Sequence, residues 1–433
     1  MLMQGFPPDK SAQVTRDNWQ DPPYNRWAFW RMREVLPSQQ VWRGAGPVTE
    51  LAASGTELRV GTVALTRSDG SATTLDAVLS GSSTDAVVIL QDGRLVHEWY
   101  GPQGAPDRPH LLMSVSKSVV GCVAATLVED GLLDLDAAVT FYLPELVGSG
   151  FDGALVRHLA DMTSGVRFVE DYTDPEADVR RLDRWIGWQP QDAADVATGL
   201  YGFLPTLVLE APHGSRFLYR SSETDTLGWV CERAGGQRMA DLVSERIWQP
   251  MGAEHDAEIL CDGVGTAVHD GGLSATARDL ARFGQLLLDG GAVPAPEGRR
   301  QVVPPEWLRN AWAVDAQGRQ LFAESPAEVS FPGGWYRHQF WFRPGDYGDV
   351  LLALGIHGQM IHVSRRTRTV CVKLSTWPQA QEPVLLQDTV RAFDAVGGAL
   401  AGREPVLGRR GLPGVVSGLT RHGGSAAHGP AMS

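Results

Sequence analysis

Two β-rich hairpin segments stand near opposite ends of this 433-residue chain, and helical segments fill the interval between them. In the first, residues 86–100, apolar Val87-Val88-Ile89-Leu90 leads into Asp92-Gly93, and Leu95 to Tyr100 runs back. An Asp-Gly pair suits the tight turn of a hairpin, because both residues tolerate positive φ. The second segment comprises 350–356 and 363–374, two β-rich runs separated by turn residues. Strands so far apart in sequence bury their faces most readily in one shared sheet. The order predicts an α/β fold: an antiparallel sheet built from both ends, flanked by helices, with a mostly helical region inserted in the middle. The expected limits are 17–131 with 346–401 for the discontinuous sheet domain and 132–345 for the insertion. Residues 1–16 read as a flexible arm. Residues 402–433, rich in Gly, Ser, Arg and His, read as a disordered tail.

Three helices anchor this layout. Residues 114–131 (SVSKSVVGCVAATLVEDG) are apolar on nearly every face, which suits a buried helix closed by Gly131. Residues 276–288 (TARDLARFGQLLL) carry apolar side chains at helical spacing on one side. Residues 382–400 form the last helix.

Charge and cysteines narrow the class. Basic residues number 38 against 51 acidic ones, a net charge of −13, whereas nucleic acid and anionic membranes require basic surfaces. No apolar run reaches the roughly 18 residues of a membrane span. The start, MLMQGFPPDK, lacks the basic and apolar regions of a signal peptide, which predicts a cytoplasmic protein. Cys122, Cys231, Cys261 and Cys371 are scattered without metal-ligand spacing and read as buried thiols. Neither a metal nor an organic cofactor is expected. The expected partner is a small molecule, and a homodimer is left open.

The chemistry starts at Ser114-Val-Ser-Lys117. A serine hydroxyl is a weak nucleophile near neutral pH and needs an adjacent base or cation. Residues three apart share one face of a helix, so Lys117 returns to the Ser114 side after one turn. SxxK arises by chance in many chains. Here, however, Lys117 is one of three lysines (Lys10, Lys117, Lys373) and sits in an apolar helix, where an unpaired ammonium is costly. Ser116 and Ser118 read as bystanders. Tyr219 ends the strand-like run FLY before a helix expected from about Asp225, at the mouth of a loop. By itself such a tyrosine could equally bond a backbone carbonyl. Gly355-Ile356-His357-Gly358-Gln359 closes an apolar strand whose free N–H groups could hold an oxyanion if the strand is an edge.

SxxK, then Tyr219-Arg220-Ser221 about a hundred residues on, then a glycine-rich strand near the C-terminus resembles the class C β-lactamase-like serine hydrolases. GLLDLDAAVTFYLPEL (131–146), VRHLADMTSGV (156–166) and GGLSATARDLARFG (271–284) resemble the same family. Within it the chain is most similar to the 6-aminohexanoate-oligomer hydrolases, through NWQDPPYNRWAFWRM (18–32), HLLMSVSKS (110–118), EDYTDP (170–175), TDTLGWVCER (224–233), IHGQ (356–359) and VKLSTWP (372–378). The likeness spans about residues 17 to 400 and implies a β-lactamase/transpeptidase-like fold. It implies Ser114 as nucleophile, Lys117 and Tyr219 as proton carriers, and the Ser114 and Ile356 N–H groups as the oxyanion hole. Tyr172 matches a pocket tyrosine that closes over substrate, and Asp183, spaced similarly from Trp188, a carboxylate for a cationic substrate end. Trp188, Asp270 and His357 complete the implied binding set. The Lys-Thr-Gly strand motif of β-lactamases is replaced by Leu354-Gly355, and Tyr-x-Asn by Tyr219-Arg220-Ser221, which predicts poor β-lactam turnover. The implied activity is hydrolysis of small linear amides or esters through an acyl-enzyme. A carboxylesterase, an acyltransferase and a catalytically idle binding module are the alternatives.

Overall fold

The computed structural model describes residues 1–55, 57–190 and 198–402. Its centre is a seven-stranded antiparallel sheet. The strands, in chain order, are β1 (Thr84–Gln91), β2 (Arg94–Tyr100), β3 (Trp335–Arg337), β4 (Phe340–Gly345), β5 (Gly348–Gly355), β6 (Gln359–Ser364) and β7 (Thr369–Ser375). Across the sheet the order is β3-β4-β5-β6-β7-β1-β2, so the two ends of the chain meet where β7 pairs with β1. The β1–β2 turn uses positive φ at Asp92 (49°) and Gly93 (76°), as the Asp-Gly pair predicts.

β1 is apolar without alternation because both sheet faces are covered. Val88 and Leu90 face helix α3 (Ala277–Leu288), where Leu280 and Phe283 meet them. Val87 and Ile89 face helix α4 (Pro383–Ala401), against Val390, Phe393 and Val396. Helix α1 (Val115–Glu129) is buried over most of its surface and packs on helix α2 (Ser221–Gly235) in the helical region. Thr276 caps α3 by accepting from the Asp279 N–H. A second, four-stranded sheet joins Ser38–Val41, Ala257–Leu260, Leu273–Ala275 and His110–Leu111 in that order.

Several expectations change. The sheet includes β3 and β4, which lie on the helical side of the expected boundary at 346; aromatic Trp335, Phe340 and Phe342 are buried there. The run 363–374 is two strands, broken at Arg365–Arg368, where Arg368 takes φ 57°. β5 is internal rather than an edge, although its last residues run past the end of β4. Helix α2 begins at Ser221, ahead of Asp225, and 217–219 form no strand. Residues 1–16 are laid against the domain: Val14 is buried in the main core and the Met3 N–H donates to the Ala12 carbonyl. All but Gly402 of the expected disordered tail lies outside the described residues. Among the described residues, no helix is long and apolar enough to cross a membrane.

Candidate active site

Ser114 sits where strand His110–Leu111 hands over to α1. That strand pairs with Leu273–Ala275, and the Leu112 N–H donates to the Leu273 carbonyl at 2.9 Å. The entry to α1 is thereby tied to the loop carrying Asp270 and Gly271. Met113 adopts φ 48°, uncommon for a residue with a side chain, and turns the chain just before Ser114. One helical turn later, Lys117 Nζ donates to Ser114 Oγ at 2.9 Å. The same ammonium meets Ser221 Oγ at 3.1 Å, the Asp270 carbonyl at 2.8 Å and the Asp270 carboxylate at 3.2 Å.

Tyr219 and Ser221 arrive from the start of α2. The Tyr219 ring lies 5.3 Å from Lys117 Nζ and is braced by Tyr336 and Trp341. Ser221 links Lys117 to a buried carboxylate: Glu170 accepts from the Ser221 N–H at 2.7 Å, the Ser221 hydroxyl at 3.0 Å and the Tyr172 hydroxyl at 2.8 Å. Asp225 accepts from the backbone N–H groups of His269 and Asp270, which fixes the loop bearing Lys117's counter-ion.

These contacts set the charges. Burial alone would depress the Lys117 ammonium, but Asp270, with Tyr219, Glu170 and Asp225 behind it, outweighs burial and holds its pKa above the usual lysine range. Lys373, the other buried lysine, shows the opposite balance: burial lowers it to about 7, with only Asp85 opposing. Burial raises the Tyr219 phenol to about 12 against the pull of Lys117. Burial also raises Glu170, with Lys117 opposing, and raises Asp225 well above the carboxylate range, with help from Asp270. The resting site is therefore a lysine ammonium, paired with Asp270, and a neutral phenol around one serine hydroxyl.

Two cavities meet at Ser114, and Ile356 lines both. The larger, about 360 Å³, is mostly apolar and includes Tyr219, Phe331, Trp341, Met360 and Trp377, with Glu170 on its wall. The smaller, about 20 Å³, is lined by Tyr172, Asp183, Trp188, Asp270 and Gly271 among others. A further cavity of about 470 Å³ lies beyond Phe217 and does not reach Ser114. Gly355 explains how β5 comes so near Ser114: a Cβ there would stand 2.5 Å from the Leu112 carbonyl oxygen and 3.1 Å from Met113 Cβ. The close approach needs glycine.

Ser114, Lys117, Tyr219, Tyr172, Asp183, Trp188, Asp270 and Ile356 thus converge. Their surroundings differ from the expectation at three points. Asp270 is the counter-ion of Lys117. Asp183 is paired with Arg180 at 2.9 Å, and burial, opposed by Arg180, raises its pKa to about 6. His357 lines neither cavity at Ser114; it is buried, with Nδ1 2.8 Å from the Trp377 carbonyl, and braces the Ile356 loop. Sequence reading placed Ser221 in the Tyr-x-Ser motif without a role, and missed the roles of Glu170, Arg180 and Asp225. Of those three, only Arg180 carried a local signal, its i,i+3 spacing from Asp183 on a helix.

A Beta-lactamase family model matches residues 75–395. The 6-aminohexanoate-dimer hydrolase of Paenarthrobacter ureafaciens is 38% identical over 403 residues, covering 90% of this chain and 97% of the relative. Esterase EstB of Burkholderia gladioli is 30% identical over 208 residues, 44% of this chain and 47% of its own. A solved structure from Bacillus anthracis, described as a candidate 6-aminohexanoate-dimer hydrolase, superposes with a TM-score of 0.81 at 28% identity, covering 91% of this chain and 99% of that one. With the family model covering most of the chain and a relative matched almost end to end, this protein is a hydrolase that belongs to the Beta-lactamase family.

Proposed function

We propose that the chain is a serine hydrolase that cleaves small linear amides or esters through an acyl-enzyme on Ser114, in the manner of the 6-aminohexanoate-oligomer hydrolases. The observation that carries this reading is the 2.9 Å hydrogen bond from Lys117 to Ser114 Oγ at the meeting point of two cavities. Once the Lys117–Tyr219 pair has given up one proton to solvent, it takes the Ser114 proton as Oγ attacks the carbonyl carbon. Because the two groups interact closely, the titration belongs to the pair rather than to either residue. The tetrahedral oxyanion is held by the N–H groups of Ser114 and Ile356. Tyr219 protonates the leaving amine or alcohol, and water activated by the same pair releases the acyl group. Ser221 and Glu170 orient Lys117 from behind. Every step is assigned to side chains and backbone of this chain. The four free, buried cysteines suit a reducing compartment, and we assign the enzyme to the cytoplasm.

The test is intact-mass spectrometry after mixing with short nitrophenyl esters. A Ser114-linked acyl adduct and a burst of nitrophenol are expected for the native protein, and neither for Ser114→Ala. An adduct that survives in Ser114→Ala would assign the nucleophile elsewhere.

A further inference from the structure

Resting on that reading of Ser114 and Tyr219, we propose that Arg180 is a specificity-determining residue: by occupying Asp183, it restricts the acyl half of the substrate to a short, uncharged group. The leaving half is then the bulky, apolar one.

The orientation follows from Tyr219. A group that protonates the leaving atom must stand on the leaving-group side of the scissile bond. Tyr219 lines the larger cavity and not the small slot, whereas Tyr172 lines the slot and not the larger cavity. The leaving group therefore enters the apolar cavity of about 360 Å³, and the acyl group enters the slot of about 20 Å³. A slot of that size has room for about one water molecule, hence for a group of one or two carbons beyond the carbonyl.

Charge points the same way. The slot holds two carboxylates, and each already has a cation: Asp183 has Arg180 at 2.9 Å and Asp270 has Lys117 at 3.2 Å. A substrate ammonium entering the slot would find neither carboxylate uncompensated and would place a third cation among them. Arg180 is also held firmly. Its Nε and Nη2 donate to the Tyr172 carbonyl at 3.2 and 2.7 Å, and its guanidinium lies 5.4 Å from the Tyr172 ring centre. One guanidinium thus ties helix Asp178–Trp185 to the turn bearing Tyr172. Widening the slot by shifting the Tyr172 backbone away would break these bonds together.

The experiment is a kcat/KM series on nitrophenyl esters with acetyl, propionyl, butanoyl, hexanoyl and 6-aminohexanoyl groups, using wild type, Arg180→Lys and Arg180→Gln. Wild type should favour acetyl or propionyl over hexanoyl by about tenfold or more, within the range a pocket gives by size. It should favour 6-aminohexanoyl least. Arg180→Lys keeps the cation and should keep that order. Arg180→Gln keeps a donor for the Tyr172 carbonyl but frees Asp183, and should raise 6-aminohexanoyl relative to hexanoyl by about tenfold, the scale of one accessible ion pair in a partly buried site. A wild type that prefers hexanoyl or 6-aminohexanoyl overturns the proposal and leaves the hydrolase reading intact. So does a folded Arg180→Gln with an unchanged ratio. Should Arg180→Gln fail to fold, Arg180→Met, which also removes the cation from Asp183, is read by the same ratio. Absence of Ser114-dependent turnover on every ester overturns the hydrolase reading itself, and this proposal with it.

Discussion

Buried Lys117 and half-buried Asp270 form an ion pair, Nζ to Oδ2 3.2 Å apart, so the lysine beside Ser114 carries its own counter-ion. Asp270 favours the ammonium, and the proposed mechanism requires the Lys117–Tyr219 pair to give up a proton first. The anion therefore raises the pH at which the reactive form appears. Asp270→Asn keeps the shape and removes the charge. The acid limb of kcat/KM should move to lower pH by about one unit or more, the usual effect of an adjacent opposite charge. A pH profile on a nitrophenyl ester measures this, and an unmoved limb would mean that Asp270 does not set the proton affinity of the pair.

Tyr219 is assigned the leaving-group proton, and amides need that proton far more than nitrophenyl esters do. Tyr219→Phe should cut amide hydrolysis by about 10²-fold or more, the scale of general-acid help. The loss on a nitrophenyl ester with the same acyl group should be distinctly smaller. Equal losses on both substrates would remove the leaving-group role and leave Tyr219 acting on Ser114 alone.

Gly355 lets β5 pass against Leu112 and Met113 just before Ile356, whose N–H is the proposed second oxyanion donor. A methyl at Gly355 would stand 2.5 Å from the Leu112 carbonyl oxygen, a backbone atom that cannot rotate away. Gly355→Ala should lower kcat by about 10²-fold, as expected for a displaced oxyanion donor, with a smaller change in KM. Unfolding should become easier by about 1–3 kcal/mol from overpacking. Steady-state kinetics and urea unfolding read the two effects separately.

Asp394, on α4, accepts from Arg343 at 2.8 Å and His362 at 3.0 Å. Burial alone would raise its pKa, but Arg343 and His362 together hold it at about 2. A free aspartate titrates near about 3.9, so the folded state binds the proton less tightly than the unfolded chain. The resulting stability is fully present above about pH 4 and is lost as pH falls towards 2. Asp394→Asn should cost about 3–5 kcal/mol at pH 7, because buried Arg343 loses its partner. The gap from wild type should narrow between pH 4 and pH 2. A gap that is constant across that range, in denaturant titrations, would rule out a charge-based origin.

What the sequence determined by itself was local. Asp92-Gly93 specified its hairpin because turn chemistry needs only adjacent residues. The pairing of Ser114 with Lys117 was legible for the same reason: three residues on a helix make one turn, whatever surrounds it. The scarcity of lysine and the apolar neighbours implied that Lys117 must have either a partner or a lowered pKa. Which of these applies was decided by the fold, and it differs between the two buried lysines: Lys117 met Asp270, 153 residues away, while Lys373 did not find an equivalent anion. Glu170 reaches Ser221 across 51 residues, and β3 and β4 join the sheet only because β5 offers them a free side. No periodicity encodes such meetings, since they depend on how α1, α2 and the loops between them pack. The sequence alone brought Ser114 and Lys117 together; tertiary packing gave that lysine its charge and closed Arg180 onto Asp183 beside the slot.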